Sequence, residues 1–264
     1  MIFLSRARPL LAVLGMLLLG YAHAQPVLDR VRTARALKVC IWPEYYGVTY
    51  RHPRTQELSG IDIELAAALA ADLNVRVVYV DSSFPTLVSD LVEDRCDVAM
   101  FAVGVTAQRA EKLRFTQPYL RSDIYGLTTK SNQVAREASA IDRPGVLVAV
   151  HSGTFMEPVM ERRLKHAQLV RVKLPATRER ELVAGRVDVF MTDYPYSRRL
   201  LDNADWARLI APAEPFSVLP YAYAVKPGDA QWLAVVDEFV SRIKKDGRLN
   251  NAANKQGLGP IVVR

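Results

Sequence analysis

Cysteine is scarce in this chain. Two in 264 residues are too few for a disulfide-dense scaffold or a four-cysteine zinc site. Glycine (13) and proline (15) are too few for a collagen-like or linker-like chain. A strong charge of one sign is also lacking. The 35 Lys and Arg exceed the 28 Asp and Glu by seven, and loss of Arg6 and Arg8 with a leader would leave an excess of five. The basic residues are scattered (Arg30, Arg51, Arg136, Arg162, Arg198), which describes a solvated surface, so no nucleic-acid partner is expected. After the N-terminus no stretch stays apolar for 18 residues, so no membrane-spanning helix is expected. What the chain does have is 50% hydrophobic residues, enough to bury a core, and a length suited to one or two domains.

The first 24 residues have the layout of an export signal. Arg6 and Arg8 precede an apolar run, Leu10 to Leu19, too short to cross a bilayer. Ala22-His23-Ala24 then supplies an A-x-A cleavage site, so a mature chain starting at Gln25 is expected. No cysteine follows to carry a lipid. A periplasmic location is the expectation.

Beyond Gln25, strand-like and helix-like stretches alternate. LKVCI (37–41), RVVYV (76–80) and DVAMF (97–101) are short apolar runs rich in β-branched residues. Between them, Ile63, Leu65, Ala66, Leu69, Ala70 and Leu73 recur at helical spacing, and 84–92 reads as a second helix. A long helix over about 229–245 closes the pattern. Such alternation means βαβ units and an α/β fold with mainly parallel sheets. One internal echo divides the chain. Residues 91–100 read LVEDRCDVAM and residues 182–191 read LVAGRVDVFM. Each copy runs from a helix end through an R-x-D step into a buried strand, as two similar lobes would. Ligands in open α/β sheets bind beyond the carboxyl ends of the parallel strands. Those ends are Phe101-Ala102-Val103-Gly104 in one lobe and Thr192-Asp193-Tyr194 in the other. Facing each other, they would line a cleft that closes around a ligand.

Three sets of residues stand at that cleft. Thr106 suits the N-cap of a short helix whose first turn carries Arg109, where the helix dipole disfavours a cation. Either the side chain leaves for solvent, or a carboxylate meets its planar fork. In the second lobe, His151-Ser152-Gly153-Thr154-Phe155 opens a helix whose free N–H groups suit an anion, and Asp193 offers a carboxylate to an ammonium. A carboxylate site and an ammonium site together match an α-amino-acid head. Trp42, Tyr45, Tyr46, Tyr50 and Phe84 could wall a side chain, or simply pack.

With these residues in view, the chain resembles the periplasmic amino-acid-binding proteins of ABC importers, extracellular solute-binding protein family 3. SGIDIELAAALAADLNV is similar to the family's G-x-D-x-x-L-A helix, and VTAQRAEKLRFTQPYL to its T-x-E-R…P-Y segment. VAVHSGT and MTD fall at its second-lobe ligand positions, and YAYAVKPGD at its return to the first lobe. The resemblance implies a two-lobed type II binding-protein fold, with lobe one over 25–121 and 225–264 and lobe two over 122–224. It further implies that Arg109 binds a ligand carboxylate, Asp193 its amino group, and the backbone at Thr154 and Phe155 the carboxylate again. Ala102, Gly104, Tyr45 and Phe84 would line the same site. It implies a small amino acid or related carboxylate as ligand, a membrane ABC permease as partner, a monomer, and no cofactor.

Departures from the family pattern sharpen this. Gly104 stands where a hydroxyl is usual, removing one ligand contact and, by sequence, opening space beside the ligand head. Trp42 stands where members selecting cationic amino acids carry an acid, which argues for an uncharged side chain. Two relatives hold other functions. SSFPTLVSDLVEDRCDVAM, RPGV and FMTD also resemble periplasmic cyclohexadienyl dehydratase, but its general-acid glutamate is replaced by Tyr196, a poor acid near neutral pH. LKVC, RCDVAM and PYLRS resemble accessory binding proteins of quinoprotein alcohol dehydrogenases, which tend to lack the arginine kept here as Arg109. Cys40 and Cys96 could pair in an oxidising compartment, although simple strand register would set Cys40 further along than Cys96. His52, His151 and His166 show no metal-ligand spacing with either.

Overall fold

The computed structural model describes residues 26–174 and 176–264. The leader expected over 1–24 lies outside the described residues. In chain order the first part holds helix α1 (Val27–Ala34), strands β1 (Ala36–Ile41), β2 (Glu44–Tyr45), β3 (Thr49–Arg51) and β4 (Leu58–Ser59), helix α2 (Ile61–Asp72), β5 (Arg76–Asp81), α3 (Leu87–Val92), β6 (Val98–Gly104), α4 (Ala107–Ala110), β7 (Arg114–Phe115) and β8 (Leu120–Ser122). There follow β9 (Ile124–Thr129), β10 (Leu147–His151), α5 (Met156–Arg163), β11 (Gln168–Val172), α6 (Arg178–Val183), β12 (Val189–Asp193), α7 (Tyr194–Asn203) and β13 (Ala207–Ile210). The chain ends with β14 (Leu219–Val225), α8 (Ala230–Lys245) and α9 (Arg248–Lys255).

Two main sheets result. One has the order β5-β1-β6-β14-β7, with β8 also on β14, and the other β11-β10-β12-β9-β13. The expected parallel pairing holds at the heart of each: β5, β1 and β6 run parallel, as do β11, β10 and β12. The remaining strands pair antiparallel, so each sheet is mixed rather than mainly parallel. The cause is the pair of strands flanking the lobe crossings, β9 and β14, each laid antiparallel against a central strand, β12 and β6. The chain leaves the first sheet between Ser122 and Ile124. The expected return at 224/225 falls at the end of β14, which pairs only with first-sheet strands. We therefore place the return crossing in 211–218.

The sequence echo has a physical basis. In the first lobe Asp97 accepts from the Lys38 N–H at 2.7 Å, and its own N–H donates to Lys38 O. In the second, Asp188 does the same with Leu147, at 2.8 Å. Each aspartate thus locks the turn before a central strand onto the start of its parallel neighbour. The echoed arginines also match: Arg95 pairs with Asp90 and Arg186 with Glu181, each five residues upstream. The same locked turn settles the cysteines. Cys40 lies opposite Ala99, but the chain folds over β1 ahead of Val98, bringing the Cys40 and Cys96 Cα atoms to 5.5 Å in a disulfide. Simple register missed that fold-back.

Helix α8 follows its sequence pattern closely. Asp229 caps it by accepting from Trp232 N–H, and Trp232, Val236, Phe239, Val240 and Ile243 are buried. Helix α3 begins at Leu87 rather than Phe84, and Phe84, Pro85 and Thr86 form the turn before it. This leaves Phe84 on a loop at the cleft.

Candidate functional site

The first-lobe wall is built where β6 ends. Ala102 adopts a left-handed φ of 48°, a conformation that costs a non-glycine residue roughly 1–2 kcal/mol. Asp62, in the first turn of α2, holds it there. The Asp62 carboxylate accepts from Ala102 N–H (2.9 Å), Tyr119 OH (2.5 Å) and Tyr223 OH (3.1 Å). Full burial pushes its pKa up to about 6, with the three donors opposing that rise. A raised carboxyl pKa favours the protonated fold. Its contribution to stability is therefore complete below about pH 4 and lost as pH rises through about 6. Between pH 4 and pH 7, the stability of Asp62→Asn relative to wild type should gain about 2–3 kcal/mol. Denaturant titrations at the two pH values check this, and a constant difference would place the Asp62 carboxyl at its ordinary pKa.

Arg109 follows from the short α4. Thr106 caps that helix by accepting from Arg109 N–H at 3.2 Å, as its sequence position predicts. The side chain does not leave for solvent: Arg109 is 8% exposed. Nη1 donates to Gly104 O (3.0 Å) and Nη2 to Gly153 O (3.1 Å), so one guanidinium ties carbonyls of both lobes. The Phe84 ring lies 5.2 Å from its Cζ. No carboxylate pairs with it among the described residues, and burial lowers its pKa to about 10. Three of its five N–H donors remain for another acceptor. The space expected beside Gly104 is not there, because a Cβ at that position would stand 2.5 Å from Leu219 Cδ2. Leu219 fills what the missing side chain leaves.

The second-lobe wall comes from three strand ends. After β10, the Thr154 hydroxyl donates to His151 O at 2.7 Å, and the Gly153 N–H donates to Glu157. Part of the expected anion-binding turn is thus committed within its own loop. Burial, with Arg178 nearby, lowers the His151 pKa to about 4, leaving a neutral ring beside Trp42. Gly153 has φ 79°, and a Cβ there would meet Pro85 of the first lobe at 2.9 Å. Gly153→Ala should therefore hinder lobe closure and weaken ligand binding about tenfold or more, while far-UV circular dichroism stays unchanged. Calorimetric affinity equal to wild type would show that the two lobes need not approach this closely.

Asp193 ends β12 and is 1% exposed. Oδ1 accepts from Tyr196 N–H, capping α7, while Oδ2 accepts from Tyr45 OH and, at 2.7 Å, from Tyr221 OH. Burial raises its pKa, against the pull of these donors and of Arg178. Tyr196 OH donates to Glu179 at 2.6 Å, and burial together with the Glu179 charge drives the phenol well above 10.

Tyr45, Phe84, Ala102, Thr154, Phe155 and Asp193 thus surround one interlobe pocket, joined by Trp42, Met156, Thr192, Tyr196 and Arg178. Its free space is about 20 Å³, the room of about one water, so admitting a ligand requires the lobes to part. Arg109 lies on the neighbouring groove, which shares Phe84, Thr154 and Phe155 with the pocket. Of the residues the sequence placed at the site, Gly104 lines neither space but supplies a carbonyl to Arg109, and Tyr46 and Tyr50 line neither, packing on one another with ring centroids 4.4 Å apart. The sequence reading did not single out Arg178 or Tyr221. For Arg178 the signal was available: like Arg109, it is a cation in the first turn of a helix capped by threonine, with Thr177 accepting from Arg180 N–H. Among the described residues no cluster of three His, Cys, Asp or Glu side chains could hold a metal ion.

Two α/β lobes joined by two crossings, with strand ends facing across a buried cleft, define a type II periplasmic binding protein fold. The sequence profile of bacterial extracellular solute-binding proteins, family 3, matches residues 37–257, and the chain belongs to that family. It is 29% identical to cyclohexadienyl dehydratase of Pseudomonas aeruginosa over 243 residues, 90% of this chain and 89% of that protein. It is 25% identical to the L-cystine-binding protein TcyJ of Escherichia coli K12, over 92% and 90% of the two chains. Among solved structures, an ancestral amino acid-binding protein described as a precursor of cyclohexadienyl dehydratase superposes with a TM-score of 0.80 at 26% identity, covering 87% of this chain and 98% of the other.

Proposed function

We propose that this protein is exported to the periplasm, captures a small amino acid or related carboxylate between its lobes as a monomer, and delivers it to a membrane ABC permease without a cofactor. The observation that carries this reading is Arg109, a buried guanidinium with no carboxylate partner among the described residues, placed where both lobes meet. A buried cation held only by carbonyls is costly, and a ligand carboxylate would offset that cost. Because Arg109 already touches both lobes, an anion bound there would favour the closed arrangement, which a permease could recognise. Asp193 would take the amino group, sharing it with or displacing the Tyr45 hydroxyl. Of the expected backbone donors at Thr154 and Phe155, the Thr154 N–H already donates to His151 O at 3.3 Å, which leaves Phe155 N–H for the carboxylate, and Tyr45 and Phe84 would wall the side chain.

A second reading follows from the likeness to cyclohexadienyl dehydratase. Tyr196 opposes it. Its phenol is pushed well above 10 and already donates to Glu179, which makes it a poor general acid near neutral pH. A thermal-shift screen of amino acids and small carboxylates tests the binding reading. A ligand at 100 times its Kd stabilises by about 2.7 kcal/mol. Incubation with prephenate and with arogenate should give no phenylpyruvate or phenylalanine above the uncatalysed background. Turnover in that assay would establish the enzyme reading instead.

A further inference from the structure

Arg178 is the other buried guanidinium of the cleft. It opens α6, is 4% exposed, and lies between the rings of Phe190 (5.1 Å) and Tyr196 (4.7 Å). Its one hydrogen bond among the described residues runs from Nη1 to Met191 O at 2.8 Å. That bond ties α6 to β12, a structural task needing one donor of five. The helix dipole at α6 disfavours a cation there. No carboxylate reaches ion-pair distance among the described residues. The acids whose charges act around it are Asp193, already held by two tyrosine hydroxyls, and Glu44 and Glu179 further out.

A second donor points the same way. Trp42 Nε1 is buried without a hydrogen-bond partner among the described residues, and Trp42 and Arg178 line the same pocket. Buried polar groups in folded proteins are otherwise almost always paired. The cleft therefore offers donors at two places: Arg109 on the neighbouring groove, and Arg178 with Trp42 on the pocket. Arg109 and Arg178 thus both lack a carboxylate at ion-pair distance among the described residues, and Asp193 is the one carboxylate lining the pocket. A zwitterionic amino acid with an uncharged side chain answers one of the two guanidinium groups, and a cationic side chain answers no more than that.

We infer that the ligand carries two carboxylates, one on Arg109 and the other on Arg178, with Trp42 Nε1 as a further donor. This rests on the binding function proposed above and replaces the uncharged side chain that the sequence favoured. Two sources share the chemistry. One is an acidic amino acid, whose ammonium meets an ionised Asp193. The other is a plain dicarboxylate, for which Asp193 takes up a proton, in keeping with the raised pKa of that buried carboxyl.

Calorimetry on the mature wild-type protein compares L-glutamate and L-aspartate with their amides, L-glutamine and L-asparagine, and with glutarate and succinate. An acid should bind at least 30-fold more tightly than its own amide. Preference for the amino acids over glutarate and succinate identifies the first source, and the reverse identifies the second. Arg178→Gln should collapse the acid-to-amide ratio to within about threefold, and Arg178→Lys should keep part of it. A merely structural Arg178 would weaken acid and amide alike and leave the ratio standing, which overturns the inference. So does wild-type binding of an amide as tightly as its acid, an outcome that leaves the binding function intact. Failure of every amino acid and carboxylate to bind would remove both. Because the wild-type ratio needs no variant, loss of folding in the mutants does not protect the inference.

Discussion

Replacing Arg109 with alanine is expected to cost about 2–5 kcal/mol of ligand affinity, the usual penalty for removing one partner of a buried charge pair. Arg109→Lys should also fail by a large factor, because an ammonium cannot present the planar fork that a carboxylate matches. The same substitutions should leave folding stability nearly unchanged. The guanidinium is buried against two carbonyls and a ring with no carboxylate, so its loss removes a desolvation cost along with two hydrogen bonds. Calorimetry on the variants reads the first effect and denaturant titration the second. Unchanged affinity in both variants would remove Arg109 from the site. A large loss of stability with intact affinity would make it a structural clamp between Gly104 and Gly153.

The other large effect concerns the disulfide. Cys40 and Cys96 close a loop of 56 residues across β1 and the turn before β6, and both are buried. On chain-entropy reasoning, the Cys40→Ala, Cys96→Ala double variant should lose about 4 kcal/mol, because the unfolded chain regains that loop's freedom. The native arrangement of β1 and β6 should survive, since two hydrogen bonds hold the same turn, Lys38 N–H to the Asp97 carboxylate and Asp97 N–H to Lys38 O. Ligand affinity should therefore change little in the variant once folded. Stability equal to wild type, measured with an unchanged denaturant slope, would show that the open chain is already constrained in this region.

The sequence was most legible where a local rule and the global fold agree. Apolar periodicity located α2 and α8, the β-branched runs located β1, β5 and β6, and the cap at Thr106 placed Arg109. The echo of LVEDRCDVAM and LVAGRVDVFM marked two lobes because each aspartate performs the same backbone task in its own sheet. What could not be read was set by long-range packing. Nothing near Gly104 in sequence announces that Leu219, more than a hundred residues on, fills its side-chain space. Cys96 was doubtful because strand register alone ignores the turn that brings it back. Tyr221 lies on the returning strand β14 of the first sheet, and only the approach of the two lobes puts its hydroxyl on Asp193 at the end of β12. Arg178 was overlooked although the physical argument used for Arg109 applies to it directly. Two lobes each carrying a threonine-capped helix with an early arginine at the cleft is itself a pattern that the echo could have prompted.

A crystal structure of the mature protein with the tightest carboxylate ligand from the screen would decide whether Arg109 anchors the ligand. The ligand is expected between the lobes, with one carboxylate on the free N–H groups of Arg109 and any amino group within hydrogen-bond distance of Asp193. A ligand seated outside the cleft, or one whose carboxylate avoids Arg109 while that side chain keeps only its Gly104 and Gly153 carbonyls, would contradict that role.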